Sequence, residues 1–156
     1  MSGYAVDIAR LEALTPGELY AILKLRIDVF VVEQNCPYPE LDGKDFDALH
    51  LRLIADGAVM AYARVFPPGA DGAESRIGRV VVSPDHRGRK LGDAVMREAI
   101  AACGRIAPDT AIAISAQAHL QRFYGSLGFV AVSAEYLEDG IPHVDMIRQK
   151  AEETAS

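Results

Sequence analysis

The sequence contains no tryptophan and only two cysteines, Cys36 and Cys103. Two cysteines this far apart, with no export signal, fit a reducing compartment and free thiols rather than a disulfide framework. No run of about 18 apolar residues occurs, so neither a membrane-spanning helix nor a membrane partner is expected. The start, Met1-Ser2-Gly3-Tyr4, lacks the basic stretch and apolar segment of a secretory leader. A cytoplasmic protein is the expectation. Positive charge is in deficit, with 16 Lys and Arg against 22 Asp and Glu, a net charge of −6. Binding to a phosphate backbone needs a basic surface, so no nucleic-acid partner is expected. The histidines, His50, His86, His119 and His143, share no i, i+4 spacing and no zinc-type pattern with the cysteines. No metal is therefore expected.

What is present describes an ordinary globular chain. Half of the 156 residues are hydrophobic and 24% are charged. Such a chain buries enough surface to need no disulfide or structural metal. One domain is expected over residues 1–150, with 151–156 as a loose tail.

Periodicity places the elements. Tyr4, Val6 and Ile8 suggest a first strand. Thr15-Pro16-Gly17-Glu18 is a helix start: Thr15 caps, Pro16 suits the first helical position and Glu18 completes a capping box. Leu19, Ile22, Leu23, Ile27 and Phe30 then recur at helical spacing, predicting a helix to about Val32. Residues 34–47 read as a long ordered loop. Leu49–Ala55 and Val59–Phe66 read as a hairpin turning at Asp56-Gly57. Arg76–Val82 is a third strand, stopped by Pro84. Leu91–Cys103 is helical, with Gly104 as its cap. Thr110–Ser115 reads as a strand buried on both faces. Ala118–Leu127 reads as a helix. Phe129–Glu135 and His143–Arg148 read as the last strands. The order β-α-β-β-β-α-β-α-β-β implies an α/β fold, with about seven strands flanked by helices.

The most informative stretch runs from Val80-Val81-Val82 through Ser83-Pro84-Asp85-His86 to Arg87-Gly88-Arg89-Lys90-Leu91-Gly92-Asp93. A strand enters a basic, glycine-spaced turn and a helix follows at once. The first N–H groups of a helix lack internal acceptors and carry partial positive charge, which suits phosphate. Gly88 and Gly92 allow close approach of the backbone. Neither a Walker A loop nor a dinucleotide fingerprint is present.

This segment resembles the acyl-CoA loop of the GNAT superfamily of N-acyltransferases, [QR]-x-x-G-x-[GA]. Arg87 takes its first position and Gly92 its last, while Lys90 replaces the middle Gly. A second segment, Gln117-Ala118-His119-Leu120-Gln121-Arg122-Phe123-Tyr124-Gly125-Ser126-Leu127-Gly128-Phe129, resembles the family's N-x-x-A-x-x-x-Y-x-x-x-G-F. Leu25 to Gln34, Cys36-Pro37-Tyr38, Glu40, Asp42, Asp45, His50 and Asp139-Gly140-Ile141-Pro142-His143 resemble the ElaA-type acetyltransferases. Arg26, Phe30 and the Glu40-x-Asp42-x-x-Asp45 spacing also resemble the acyl-homoserine-lactone synthases, which share a GNAT-like fold and carry a tryptophan absent here.

The resemblance implies a GNAT-like, mostly antiparallel central sheet and an acetyl-CoA-dependent N-acetyltransferase. The acetyl group would pass directly to a small-molecule or protein amine. It implies cofactor contacts from Val80, Val81, Val82, Arg87, Gly88, Arg89, Lys90, Leu91, Gly92, Asp93, Gln117 and Tyr124. It also implies Tyr124 as the general acid that protonates the departing thiolate, since a phenol and an alkyl thiol have similar proton affinity. Glu33, raised toward neutral pH by partial burial, and His50 are candidate bases, with His143 and a water chain as further options. The carboxylates Glu40, Asp42, Asp45 and Asp47 either attract a cationic amine or pin the loop through Arg26 or Arg64, and pinning is the preferred reading. Tyr38 and Phe46 are expected to pack that loop on the first helix. A non-catalytic CoA-binding module is the alternative. A monomer and a homodimer both remain open.

Overall fold

The computed structural model describes residues 3–150. The expected tail at 151–156 lies outside the described residues. The strands are β1 (Ala5–Arg10), β2 (Leu49–Ala55), β3 (Ala58–Phe66), β4 (Ser75–Val82), β5 (Ile112–Gln117), β6 (Val130–Ala131), β7 (Tyr136–Glu138) and β8 (Ile141–Arg148). The helices are α1 (Pro16–Arg26), α2 (Leu91–Ile106) and α3 (Gln121–Gly125). All strands join one sheet ordered β1-β2-β3-β4-β5-β8-β6, and β7 also pairs with β8. Among the described residues only β4 and β5 run parallel, and every other pair is antiparallel. Among the described residues no helix is long and apolar enough to cross a membrane.

Local chemistry accounts for most boundaries. Asp56 and Gly57 both take positive φ, 51° and 74°, the geometry of the tight hairpin turn between β2 and β3. Thr15 and Glu18 form the full capping box at the start of α1. Helix α2 runs past its expected end, because Gly104 sits inside it and the Ala107 N–H still reaches the Cys103 carbonyl at 2.8 Å. The expected strand at 129–135 shrinks to β6, and β7 forms just beyond it, giving eight strands among the described residues. Ser133 causes the break: its hydroxyl, rather than a main-chain carbonyl, accepts the Asp145 N–H at 2.9 Å.

The sheet divides two cores by side-chain alternation. Ala61, Ala63 and Val65 of β3 face α2, packing with Val95, Met96 and Ala99. Tyr62, between them, faces α1 and packs with Ile22, Leu25 and Val29. The buried stripe of α1 therefore differs from the expected one. It runs Ile22, Leu25, Arg26 and Val29, so it passes through an arginine with no solvent exposure. Past Arg26 the helix widens. Val29 and Val31 carbonyls accept the N–H groups of Gln34 and Cys36, five residues on. This π-type turn over Ile27–Glu33 is a form common at functional sites.

Candidate active site

The site begins where the only parallel pair of strands fails. β4 and β5 are in register only at Ser75–Ile112 and Arg76–Ala113. Beyond that point the strands separate. On the β3 side, Tyr62 pairs with Val81 and Arg64 with Gly78, so β4 carries one extra residue between them. This is a β-bulge, which bends its strand. Arg79 sits in it with a left-handed φ of 50°. From Ile77 onward the β5-facing edge of β4 has no strand partner. Unpaired main-chain N–H and C=O groups thus line an opening inside the sheet, able to pair with an extended amide-bearing ligand.

A cavity of about 430 Å³ occupies this opening. Its walls include Phe30 and Gln34 from the widened turn, Cys36 and Tyr38 from the loop, and Gly78, Arg79 and Val80 from β4. Ser115 and Gln117 of β5, Tyr124 of α3, and Glu138, Asp139 and His143 near the β7–β8 turn also line it. The pleat explains the polar wall. Ile114 and Ala116 of β5 are buried in the α2 core, while Ser115 and Gln117 face the cavity. The expectation that this strand is buried on both faces is corrected: one face lines the site.

Of the three valines, Val80 reaches the cavity, whereas Val81 packs toward α1 and Val82 toward the α2 core. The loop beyond them ends on an uncapped helix. Lys90, at the N-cap of α2, gives no side-chain cap and takes a left-handed φ of 57°, and Gly88 takes 85°. Lys90 therefore adopts a backbone shape usual for glycine. The N–H groups of Leu91, Gly92 and Asp93 have no acceptor within the helix. Leu91 is buried in the core, and Asp93 accepts a bond from Arg97 at 2.8 Å. Gly92 lies against Val82 and Phe123, where an added Cβ would stand 3.9 Å from each. Arg89 is exposed.

Tyr124 is 8% exposed and lines the cavity. Burial alone pushes its hydroxyl up to about 12, with no charge or hydrogen bond contributing. Phe123 and Phe129 meet its ring edge-on.

Two expected bases stand elsewhere. Glu33 is exposed and holds Arg87 through two hydrogen bonds, 2.6 and 3.0 Å. That guanidinium lowers its carboxyl from the ordinary value, so the expected rise toward neutral pH is reversed. The same contact turns the Arg87 side chain toward α1. His50 is fully buried under the loop. Its Nε2 donates to the Asp45 carbonyl at 3.0 Å, and its Nδ1 accepts the Tyr62 hydroxyl at 2.7 Å. Burial lowers its proton affinity, and both nitrogens are engaged away from the cavity lining. It holds structure.

The acidic loop is pinned. Arg26 bonds Glu40 at 2.6 Å and Asp45 at 2.8 Å. Arg64 bonds Asp42 at 2.9 Å and Asp45 at 3.1 Å. Arg79, which sequence reasoning missed, bonds Glu40 at 3.0 Å and Asp42 at 3.3 Å. The signal for it was Gly78, since a glycine inside a strand pattern marks bulges. Burial opposes ionisation of Asp42, but Arg64, the Lys44 N–H and Arg79 outweigh it and draw its carboxyl down to about 2. Phe46 is 67% exposed and does not pack the loop as expected. Cys36 ties the loop to the β7–β8 turn through its Sγ, which donates to the Asp139 carbonyl. Cys103 is a buried free thiol, pushed up to about 11 by desolvation.

Known proteins share this architecture. Residues 40–150 match the family described as acetyltransferase (GNAT) domain. Protein ElaA of Escherichia coli K12 is 45% identical over 138 residues, 87% of this chain and 90% of that protein. The crystal structure of an acyl-CoA N-acyltransferase from Pseudomonas aeruginosa superposes with a TM-score of 0.89 at 48% identity, over 93% of this chain and 99% of that one. The acyl-homoserine lactone synthase BjaI has a TM-score of 0.77, covering 96% of this chain and 84% of that one. At 18% identity, that likeness shows the fold alone. The chain belongs to the GNAT superfamily of acetyltransferases, in the group related to ElaA, and is an acyltransferase enzyme.

Proposed function

We propose that the chain transfers an acetyl group from acetyl-CoA directly to an amine, with residues 1–150 acting as one unit. One observation carries this reading: Tyr124, whose hydroxyl has no hydrogen-bond partner among the described residues, lines the same cavity as the open edge of β4. The residues fit such a co-substrate. The N–H groups of Leu91, Gly92 and Asp93 suit its pyrophosphate, with Gly88, Lys90 and Arg89 shaping and charging the approach. The unpaired edge of β4 around Val80 suits the amides of the pantetheine arm, and one N–H there would polarise the acyl carbonyl. Gln117, facing the cavity from β5, borders the same arm.

Tyr124 acts as the acid. The amine nitrogen forms its bond to the acyl carbon, the carbon–sulfur bond breaks, and Tyr124 gives its proton to the sulfur as charge grows there. A raised proton affinity keeps the phenol protonated until that moment. The direct route uses no enzyme nucleophile, and Cys36 keeps its structural bond to the Asp139 carbonyl.

An acceptor screen tests the proposal. Purified protein, acetyl-CoA and a panel of small amines and lysine peptides are assayed for thiol release, with CoA and NAD binding followed by calorimetry. Amine-dependent release and binding of CoA but not NAD are expected. Gly92→Glu should abolish CoA binding by placing a carboxylate at the helix N-terminus. Absence of CoA binding by the wild type would overturn the reading.

A further inference from the structure

We propose that His143, which lines the cavity, is the catalytic base that takes the acceptor's proton through its Nε2. This rests on the acetyltransferase reading above. The imidazole is held in one tautomer. Its Nδ1 lies 2.7 Å from the Ile141 carbonyl, which can only accept, so Nδ1 carries the hydrogen. In the neutral ring Nε2 then has a free lone pair. Tyr136, opposite on β7, stacks on the ring at 6.2 Å and fixes its plane.

The surroundings favour a cation at this place. Nε2 is 3.5 Å from the Glu138 carboxylate, which faces the ring once it is protonated. Asp145, two residues along β8, accepts the Tyr136 hydroxyl hydrogen at 2.6 Å, and Ser115 of β5 completes that chain. Gln117 stands opposite His143 on β5, while Tyr124 and Cys36 line the same cavity from α3 and the loop. The charged groups beside His143 on this wall, Glu138 and Asp139, are both acidic, and Asp145 lies two residues along β8. The cavity's cations, Lys44, Arg64, Arg76 and Arg79, each have a carboxylate partner. An alkylammonium is thus drawn to this wall, with the base already in it.

The proton count closes. His143 takes one proton from the ammonium and releases it to solvent through the open cavity. The freed amine attacks, the electron pair of the carbon–sulfur bond leaves with sulfur, and Tyr124 protonates it. The second proton of the attacking nitrogen restores Tyr124 through the water of the cavity. Of the two protons lost by nitrogen, one ends on sulfur and one in solvent.

The test is the pH profile of kcat/KM for thiol release by the full chain, using an amine from the screen. A protonated His143 has no lone pair with which to take the ammonium's proton, so the wild type should show an acidic limb. His143→Asn keeps an N–H for the Ile141 carbonyl but has no base at the Nε2 position. It should lose about 100-fold in kcat near pH 7 and lose the limb, with CoA affinity unchanged. Wild-type rates and limb in this variant would overturn the proposal. Glu138→Gln removes a negative charge beside the imidazolium, so its limb should move to lower pH by a few tenths of a unit. Should His143→Asn fail to fold, an unmoved limb in Glu138→Gln overturns the proposal and a moved one supports it. Should the wild type release no thiol with any amine, the acetyltransferase reading falls and takes this proposal with it.

Discussion

Two polar regions border the same cavity, and they differ in charge pairing. Under the loop, Arg26, Arg64 and Arg79 interlock with Glu40, Asp42 and Asp45, and each charge meets an opposite one. On the other wall the Tyr124 hydroxyl has no hydrogen-bond partner among the described residues, and outside the cavity the first N–H groups of α2 lack a side-chain cap. The two helix starts repeat the contrast: Thr15 closes α1, and nothing caps α2. A charge-paired cluster in a low-dielectric setting fixes geometry, because leaving any of its charges unpaired is costly, and this one does so with only the Arg64 Nε left without an acceptor. Unsaturated groups cost stability and are kept where a ligand completes them. The first region holds the loop in place, and the proposed chemistry lies in the second.

The largest expected effect tests the open wall. Tyr124→Phe keeps the ring contacts with Phe123 and Phe129 and removes only the hydroxyl. Single-turnover kcat should fall by ~10²–10⁴-fold with little change in CoA affinity, the loss expected for a general acid. An unchanged single-turnover rate would make Tyr124 a packing residue.

Breaking the charge-paired side should act on folding instead. Arg26→Ala leaves Glu40 and Asp45 short of a partner in the interior and should cost ~3–5 kcal/mol in denaturant unfolding. A variant as stable as the wild type, with only acceptor KM raised, would turn the cluster into a substrate site.

Acid separates the two regions more gently. Asp42 has a folded value near 2 against an ordinary 3.8. Its stabilisation is present above the ordinary value and is lost as pH falls through the folded one. The melting temperature should therefore decline between about pH 5 and 2, and Asp42→Asn should flatten that decline. Parallel curves for both proteins would show that the pairing contributes nothing.

The smallest effect probes strain on the open side. Lys90 holds a left-handed φ that glycine adopts freely. Lys90→Gly should raise stability by ~0.5–1 kcal/mol, or about 2–4 °C in melting temperature. A lower melting temperature would show that the lysine side chain compensates its backbone.

Legibility in the sequence followed the range of the interactions involved. The α1 capping box, the Asp56-Gly57 turn and the glycine-spaced loop before α2 each lie within a few residues, and each stands as expected. That Tyr124 lines the cavity was expected from its segment, which keeps the family's spacing. Glu33 and His50 were misplaced for one shared reason. Their fates depend on partners far along the chain, Arg87 for one and Tyr62 for the other. Exposure and partner decide whether a carboxyl or imidazole is reactive, and neither is a local property. The buried stripe of α1 was misread because it includes Arg26, whose burial makes sense only with Glu40 and Asp45 in place.

By itself, then, the sequence determined the order of elements, the family and the segments that meet at the site, since periodicity, caps and turns are written in neighbouring residues. Tertiary structure alone decided that β4 would bulge at Arg79 and part from β5, that Ser115 and Gln117 would face the gap, and that His143 would join Tyr124 in its wall. A strand's pairing and the faces of a sheet depend on register between distant segments, and a single extra residue in β4 changes both.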